Sequence, residues 1–317
     1  ALTIAKEFNK KDVIFFASSR DLEKKIYRGS NFKTIHLKID GFRGKNLFKK
    51  FVWPLSFFLS LFDFIKNFNE FNPEKILVMG GYISIYGVLA ALIFGKKIYV
   101  HEQNSVTGTL NKFASKFSYK FFSSFQNVSN NEIYTGNPIR EKIISSGYKF
   151  NKDKKFILVL GGSQGAKFFN EKLIKVLEKA NFPEKIIFQT GRKQIINSVK
   201  NIKQVEYIDE IEEVFAQTKF VICRSGASTV AELQTYAMPA IFIPILNSID
   251  DHQSVNAKHA CRNGGGICLN EKSFSEDLFL KEITSFYNSD LNKRSEKMFN
   301  DIHKQAASRI ADEIKQN

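Results

Sequence analysis

The feature that most constrains this chain is an alternation. Short apolar runs of strand type trade places with longer amphipathic runs of helix type along nearly its whole length. In the first half the strand-like runs are Val13–Ala17, Thr34–Leu37, Lys75–Met79, Lys97–His101 and Glu132–Thr135, with helix-like runs at Leu55–Asn69, Ser84–Leu92 and Thr107–Phe117. In the second half the strands are Phe156–Leu160, Lys185–Gln189, Val205–Tyr207, Phe220–Cys223, Ala240–Pro244 and Gly266–Leu269, with helices that include Gly165–Ala180 and Thr229–Tyr236. Strands that alternate with helices make parallel sheets covered by helices on both faces, an α/β architecture. The 317 residues suit two such domains, at roughly 100–200 residues each. The boundary is expected from Gly136-Asn137-Pro138 through the polar stretch Asn151–Lys155. In open α/β sheets ligands bind at the carboxyl ends of the strands, and with two domains the cleft between them is the expected site.

Composition narrows the function classes. At 43% hydrophobic and 25% charged residues, the chain is neither disordered, collagen-like nor a polytopic membrane protein. Its 47 Lys and Arg against 32 Asp and Glu leave a net charge of +15. Such an excess favours anionic partners, and a general preference for Lys, Asn, Ile and Phe accounts for it equally well. The three cysteines, Cys223, Cys261 and Cys268, have no C-x-x-C spacing, so neither a disulfide framework nor a zinc site is expected. No signal peptide is visible. The longest apolar run, Phe51–Phe62, is interrupted by Pro54, Ser56 and Ser60, and is short of the ~18 residues a membrane span needs.

Ala1, Leu2, Ile4, Ala5 and Phe8 recur at helical spacing with no N-cap residue before them. The chain is therefore expected to open inside a helix, with a strand and its glycine loop lying upstream.

Several strand ends carry chemistry. Leu160-Gly161-Gly162-Ser163-Gln164-Gly165-Ala166 follows a buried-type strand and opens a helix. Glycines there admit a ligand to the backbone, and helix-start N–H groups favour an anion. The alternative is a tight turn with no ligand. Cys223-Arg224-Ser225-Gly226-Ala227-Ser228-Thr229 repeats the arrangement, with Glu232 early in the helix. Glu232 either compensates the helix dipole or accepts from sugar hydroxyls. Two glycine turns in one domain fit a ligand with separated polar parts, such as a nucleotide-sugar. Met79-Gly80-Gly81-Tyr82 is a third strand-end glycine pair, a plain turn or an opening for a polar group. His101-Glu102-Gln103-Asn104 places four polar side chains at another strand end, poor as core and good as ligand groups, although a lone His101 is commonly structural. Asp250-Asp251-His252-Gln253 lacks the further ligands a metal requires, so hydroxyl recognition by Gln253 is the expected use. Finally, Arg43, Lys49 and Lys50 adjoin Phe48, Phe51, Val52, Trp53, Phe57 and Phe58. A basic rim beside aromatic side chains suits an anionic bilayer. No recognition motif supports nucleic acid as the alternative.

Taken together, Gly80-Gly81-Tyr82, His101-Glu102-Gln103-Asn104, Gly136-Asn137-Pro138-Ile139-Arg140, Gly161 to Ala166, Arg224-Ser225-Gly226-Ala227 and His252-Gln253-Ser254-Val255-Asn256-Ala257 resemble the MurG family in order and spacing. These are UDP-N-acetylglucosamine:undecaprenyl-pyrophosphoryl-muramyl-pentapeptide N-acetylglucosaminyltransferases. The resemblance implies a GT-B architecture: two Rossmann-like parallel-sheet domains facing a cleft, here with the first strand and first glycine loop missing. It implies an acceptor and membrane-facing domain of residues 1–140 plus 301–317, and a UDP-sugar domain of residues 141–300. The reaction implied is inverting transfer of N-acetylglucosamine from UDP-N-acetylglucosamine to the muramyl 4-hydroxyl of lipid I, giving lipid II. The enzyme would be peripheral to the cytoplasmic face of the inner membrane, with no cofactor and no obligatory metal.

Residue by residue, the resemblance gives Ser163 and Arg140 to the pyrophosphate, backbone groups of Ile208 to uracil and Glu232 to the ribose hydroxyls. Ala227, Ser228, Thr229, Val230 and Ala231 would lie along the sugar and phosphate. Gln253, with His252 beside it, would recognise the sugar, and Asn104 would reach in from the first domain. Gly80, Gly81 and Tyr82 would face the acceptor, and Phe48, Lys49, Lys50, Phe51 and Trp53 the membrane. The family's usual base, a histidine in Thr-Gly-Gly-His, falls upstream of Ala1. No base is therefore assigned, and this chain alone is expected to be inactive or nearly so. Ser84-Ile85-Tyr86 also departs from the family's Ser-x-Pro turn. The rivals are a glycolipid synthase or UDP-N-acetylglucosamine 2-epimerase of the same fold, and an inactive nucleotide-sugar-binding module.

Overall fold

The computed structural model describes residues 1–38, 47–126, 128, 132–146, 154–162, 165–191, 199–246 and 251–316. The chain divides into two compact units, Ala1–Pro138 with Gln305–Asn317, and Ile139–Lys304. In chain order, unit 1 carries α1 (Leu2–Ala5), β1 (Ile14–Ser18), α2 (Asp21–Arg28), β2 (Lys33–Leu37), α3 (Leu47–Phe71), β3 (Lys75–Val78), α4 (Ser84–Phe94), β4 (Lys97–Glu102), α5 (Thr109–Ala114), β5 (Lys120–Ser123) and β6 (Glu132–Tyr134). Unit 2 follows with α6 (Glu141–Ser146), β7 (Phe156–Leu160), α7 (Ile174–Ala180), β8 (Lys185–Gln189), β9 (Ile202–Val205), α8 (Ile211–Ala216), β10 (Thr218–Cys223), α9 (Ala227–Thr235), β11 (Ala240–Phe242), α10 (His252–Cys261), β12 (Gly266–Cys268), α11 (Glu276–Tyr287) and α12 (Leu291–Met298). The chain then returns to unit 1 as α13 (Ala306–Lys315).

Every ladder between named strands is parallel. Unit 2 holds a six-stranded sheet in the order β12-β11-β10-β7-β8-β9. Its central strands are apolar on both faces: Ile157, Leu158, Val159, Phe220, Val221 and Ile222 are all fully buried. That two-sided burial is what a helix-covered parallel sheet imposes. Phe169, Leu173, Phe279, Ile283 and Phe286 close one side, each worth roughly 1.5–3 kcal/mol of transfer free energy.

Unit 1 holds two sheets, β1-β2 and β3-β4-β5-β6. Between them lies a cavity of about 1130 Å³ whose walls include Phe15, Ala17, Phe64, Val78 and Tyr82. The four-stranded sheet is covered on one side by α13, where Ala307, Ile310 and Ile314 pack with Ile4, Tyr99 and Phe122. Leu37, Phe64, Phe68, Tyr86 and Ala90 form a second core between β2, α3 and α4.

Several elements differ from expectation. The helix expected over Leu55–Asn69 runs from Leu47 to Phe71 with Pro54 inside it; proline has no N–H and normally breaks such a ladder. The helix expected over Thr107–Phe117 is confined to Thr109–Ala114, and the strand β5 after it was not expected. The strand expected at Val205–Tyr207 lies earlier, at Ile202–Val205, where it pairs with β8. The opening helix is a single turn, Leu2–Ala5. Among the described residues no helix is long and apolar enough to cross a membrane. The three cysteines are free, and burial drives the Cys223 thiol far above its ordinary range.

Candidate functional site

In unit 2 the parallel register brings the loops after β7, β8, β9, β10 and β11 to one edge of the sheet, the edge at which such folds bind ligands. The turn after β7 is built around Gly165. Its φ is +77°, and a Cβ there would stand 2.3 Å from the Thr190 carbonyl oxygen. Glycine is thus required by strain and by contact together. Asn170 donates to the same carbonyl at 3.1 Å, tying the turn to the end of β8. Ser163 and Gln164 lie outside the described residues.

The turn after β10 delivers α9. The first helical hydrogen bond runs from Val230 N–H to the Gly226 carbonyl at 2.9 Å. The N–H groups of Ala227, Ser228 and Thr229 precede it and point out of the helix end, an arrangement that attracts an anion. Ser228 is exposed and Thr229 half-buried. Val230 and Ala231 are buried inside the helix. Their side chains pack inside unit 2.

Arg224 and Ser225 of the same motif serve the scaffold. The Arg224 guanidinium donates to the carbonyls of Ile243 at 2.9 Å and Pro244 at 3.0 Å. It pairs with Glu271 and lies over the Phe169 ring. Ser225 is fully buried and donates to the Gln253 carbonyl at 2.7 Å. The side-chain oxygen of Gln253 accepts from Ile245 N–H at 3.1 Å. Its amide NH₂ has no partner among the described residues. His252 opens α10 beside it, after Asp251 in the left-handed conformation at φ +48°.

At this edge Arg140, just before α6, meets Glu232 in α9. The guanidinium donates from Nε to Oε1 and from Nη2 to Oε2, both at 2.9 Å. This is the forked geometry that matches a guanidinium to a carboxylate. Next to it, Lys142 pairs with Glu210 at 3.2 Å and Glu212 at 3.1 Å. Ile208, after β9, donates its N–H to Gln189 Oε1 at 3.2 Å.

Unit 1 gathers its own strand-end groups. Gly80 and Gly81 turn with φ of +78° and +76°, and the Ser84 hydroxyl caps the Gly80 carbonyl at 2.7 Å. The Arg20 guanidinium lies 5.2 Å from the Tyr82 ring centroid, and the Tyr82 hydroxyl is buried without a partner among the described residues. Nothing in the spacing of the sequence had pointed to Arg20.

The His101-Glu102-Gln103-Asn104 cluster is divided by the structure. His101 is fully buried, with Nε2 at 3.2 Å from the Gly136 carbonyl and Nδ1 at 3.2 Å from the Gln103 amide. Those partners call for the tautomer protonated on Nε2. Burial holds its pKa down to about 4. His101 is therefore neutral near pH 7 and holds the loop. Glu102 is buried as well. It accepts from Asn104 N–H at 3.0 Å, Gly108 N–H at 3.0 Å and the Asn111 amide at 2.8 Å. Only Gln103 and Asn104 stay half-exposed. Buried carboxylates surrounded by donors fix loops, because each donor would otherwise be left unpaired.

The side chains of Phe48, Lys49, Lys50, Phe51 and Trp53 lie outside the described residues, although their backbone belongs to α3. The next two turns of α3 expose Leu55, Phe58, Leu59 and Phe62 at 62%, 64%, 62% and 71%. Leu92, Ile93 and Phe94 at the end of α4 are exposed too, and Phe94 stacks on Phe68 of α3. Among the described residues no cluster of His, Cys, Asp or Glu could hold a metal ion.

Comparison with known proteins gives two matches along the chain. Residues 1–123 match the N-terminal domain of glycosyltransferase family 28, and residues 156–314 match its C-terminal domain. The UDP-N-acetylglucosamine–N-acetylmuramyl-(pentapeptide) pyrophosphoryl-undecaprenol N-acetylglucosamine transferase of Vesicomyosocius okutanii is 34% identical over 286 residues, covering 88% of this chain and 82% of that protein. The enzyme of the same name from Burkholderia pseudomallei strain 1106a is 29% identical, covering 84% and 77%. Among solved structures, Acinetobacter baumannii MurG superposes with a TM-score of 0.80 at 24% identity, covering 100% of this chain and 95% of that one. The kitacinnamycin glycosyltransferase follows a similar path, with a TM-score of 0.76 at 12% identity over 99% of this chain and 95% of that one. Both structural likenesses bear on the two-domain parallel-sheet fold.

Proposed function

The chain belongs to glycosyltransferase family 28, among its MurG enzymes, and from that premise we propose that it moves N-acetylglucosamine from UDP-N-acetylglucosamine to the muramyl 4-hydroxyl of lipid I, forming lipid II. The observation that carries this reading is the 34% identity to such a transferase over 88% of the chain. The strand-end edge of unit 2 supports it with chemistry a UDP-sugar needs: an open helix start, a guanidinium, a carboxylate and a side-chain amide within one group of loops.

Unit 2 takes the donor. The diphosphate lies against the N–H groups of Ala227, Ser228 and Thr229 and draws on Arg140. Glu232 accepts from the ribose hydroxyls, and the Gln253 amide donates to the sugar. Unit 1 takes the acceptor, with Gly80, Gly81 and Tyr82 beside its pyrophosphate, and Asn104, oriented by Glu102, supplies a polar group from the loop after β4. In the reaction the acceptor 4-hydroxyl attacks the anomeric carbon, the bond to UDP breaks with inversion, and the hydroxyl proton leaves to a base. The helix dipole of α9 and the charge of Arg140 stabilise the negative charge that grows on the departing diphosphate.

The enzyme works as a peripheral protein at the cytoplasmic face of the inner membrane. The exposed apolar stripe of α3 and the end of α4 form the surface that enters the bilayer boundary, and the net charge of +15 favours an anionic headgroup layer.

The test is transfer of labelled N-acetylglucosamine to a lipid I analogue by the protein purified from its own host. Labelled lipid II with UDP released in equal amount is expected. Release of free N-acetylmannosamine instead would identify an epimerase, and donor binding without transfer to any lipid acceptor would leave a binding module.

A further inference from the structure

We infer that the Arg140–Glu232 ion pair is a specificity latch, which opens only for a ligand that brings a vicinal diol and a diphosphate together. The inference rests on the donor reading given above and adds to it how the empty site treats partial ligands.

The geometry of the pair is the starting point. Both carboxylate oxygens of Glu232 and one full edge of the Arg140 guanidinium are spent on each other, in two bonds of 2.9 Å. The residues are 92 positions apart in sequence and come from different elements, so nothing local forces the contact. Among the described residues, the neighbouring acids Glu210 and Glu212 are ion-paired with Lys142. The pair sits beside the open start of α9, where an anion is favoured. Glu232 is 14% exposed and Arg140 47% exposed. One partner is thus shielded and the other can swing toward solvent.

Each partner is also the group that one half of a nucleoside diphosphate needs. A carboxylate accepts from a cis-diol, and a guanidinium matches phosphate oxygens. In the latch, a nucleoside alone reaches Glu232 by displacing Arg140, which leaves the guanidinium without a counter-charge. A free diphosphate can draw Arg140 away only by leaving a shielded carboxylate uncompensated, which is costly. A ligand with both parts replaces both lost interactions at once. The pair thereby penalises fragments of the donor and spares the whole donor. The competing arrangement keeps Arg140 on Glu232 throughout, using the carboxylate's remaining lone pairs for the diol. In that case Arg140 assists nucleoside binding instead of opposing it.

The two arrangements predict opposite signs. Affinities for uridine, UDP and inorganic pyrophosphate are measured on the full chain by chemical-shift titration, with Arg140→Ala and Arg140→Gln as paired variants and thermal melting as the check on folding. With the latch, both variants bind uridine about 3–10-fold tighter, the range expected when a partly exposed ion pair no longer has to be broken. The same variants bind UDP at least about tenfold weaker, having lost a charge-assisted contact. Glu232→Gln binds pyrophosphate more tightly than the parent, because Arg140 is released. Uridine affinity that falls or stays level in both Arg140 variants overturns the latch. A Glu232→Ala variant that binds uridine as well as the parent removes Glu232 from the ribose. That outcome overturns the underlying donor reading and the latch with it, and is recognised by its occurring whatever stands at position 140.

Discussion

Acid should destabilise this protein through His101 before its carboxylates are protonated. The imidazole is fully buried in unit 1, and burial lowers its pKa from 6.5 to about 4, opposed in part by the hydrogen bond to the Gly136 carbonyl. A base whose pKa is depressed by folding leaves the unfolded chain holding more protons than the folded one between the two values. Stability from this group is therefore complete above pH 6.5 and is lost as the pH falls toward 4. At pH 5 the unfolded imidazole is almost wholly charged while the folded one is mostly neutral, a loss of about 2 kcal/mol relative to pH 7. The assay is urea unfolding of the parent and of His101→Gln at both pH values, followed by a probe in unit 1. The variant is less stable at pH 7, because its amide fits the Gly136 and Gln103 partners less well. Its loss between pH 7 and 5, however, should be smaller than the parent's by about 2 kcal/mol. That difference isolates His101 from every other titrating group. Equal losses in parent and variant would refute the reasoning. His303 in unit 2, also held to about 4 by burial, should give a matching result with a probe in that unit.

Other substitutions test the donor edge and the lipid surface. Gly165→Ala drives a methyl group into the Thr190 carbonyl and should cost about 1–3 kcal/mol of stability, with weaker UDP binding among molecules that still fold. Arg224→Ala leaves Glu271 shielded without its partner. It should lower stability by about 3–5 kcal/mol, and Glu271→Ala in the same chain should recover part of that loss. Phe58→Ser with Phe62→Ser should reduce binding to anionic vesicles several-fold in a sedimentation assay while UDP affinity is unchanged; both side chains are exposed, so little stability is at stake. Glu102→Ala leaves the N–H groups of Asn104 and Gly108 without their acceptor, and should raise the KM for donor at least as strongly as it lowers kcat.

The α/β class was legible because β7 and β10 are short, apolar and buried on both faces, a pattern that few other environments produce. The glycine turns could be read for a similar reason: at Gly165 a side chain meets both a positive φ and the Thr190 carbonyl. Elements governed by neighbours were harder. β5 is four residues long and follows directly on a helical pattern, so its strand character comes from its place between β4 and β6. α3 continues through Pro54, against the local preference of that residue. Within the site, motif spacing marked the loops and left the partnerships hidden. Arg224 and Glu271 are 47 residues apart, and Arg140 and Glu232 are 92 apart. The same limit applied to His101, whose polar neighbours in sequence pointed toward a ligand while its partner Gly136 lies 35 residues away.

The route of the chain has a consequence for how the protein is made. Translation leaves unit 1 at Pro138 and rejoins it at Gln305. At about 5–20 residues per second, a ribosome needs roughly 10–30 s to make what lies between. Throughout that interval Tyr99 and Phe122 wait for Ile310 and Ile314 of α13. The half that is synthesised first is thus the half completed last. A nascent chain halted between Pro138 and Gln305 carries an uncovered apolar sheet face, the kind of surface that chaperones hold and proteases find.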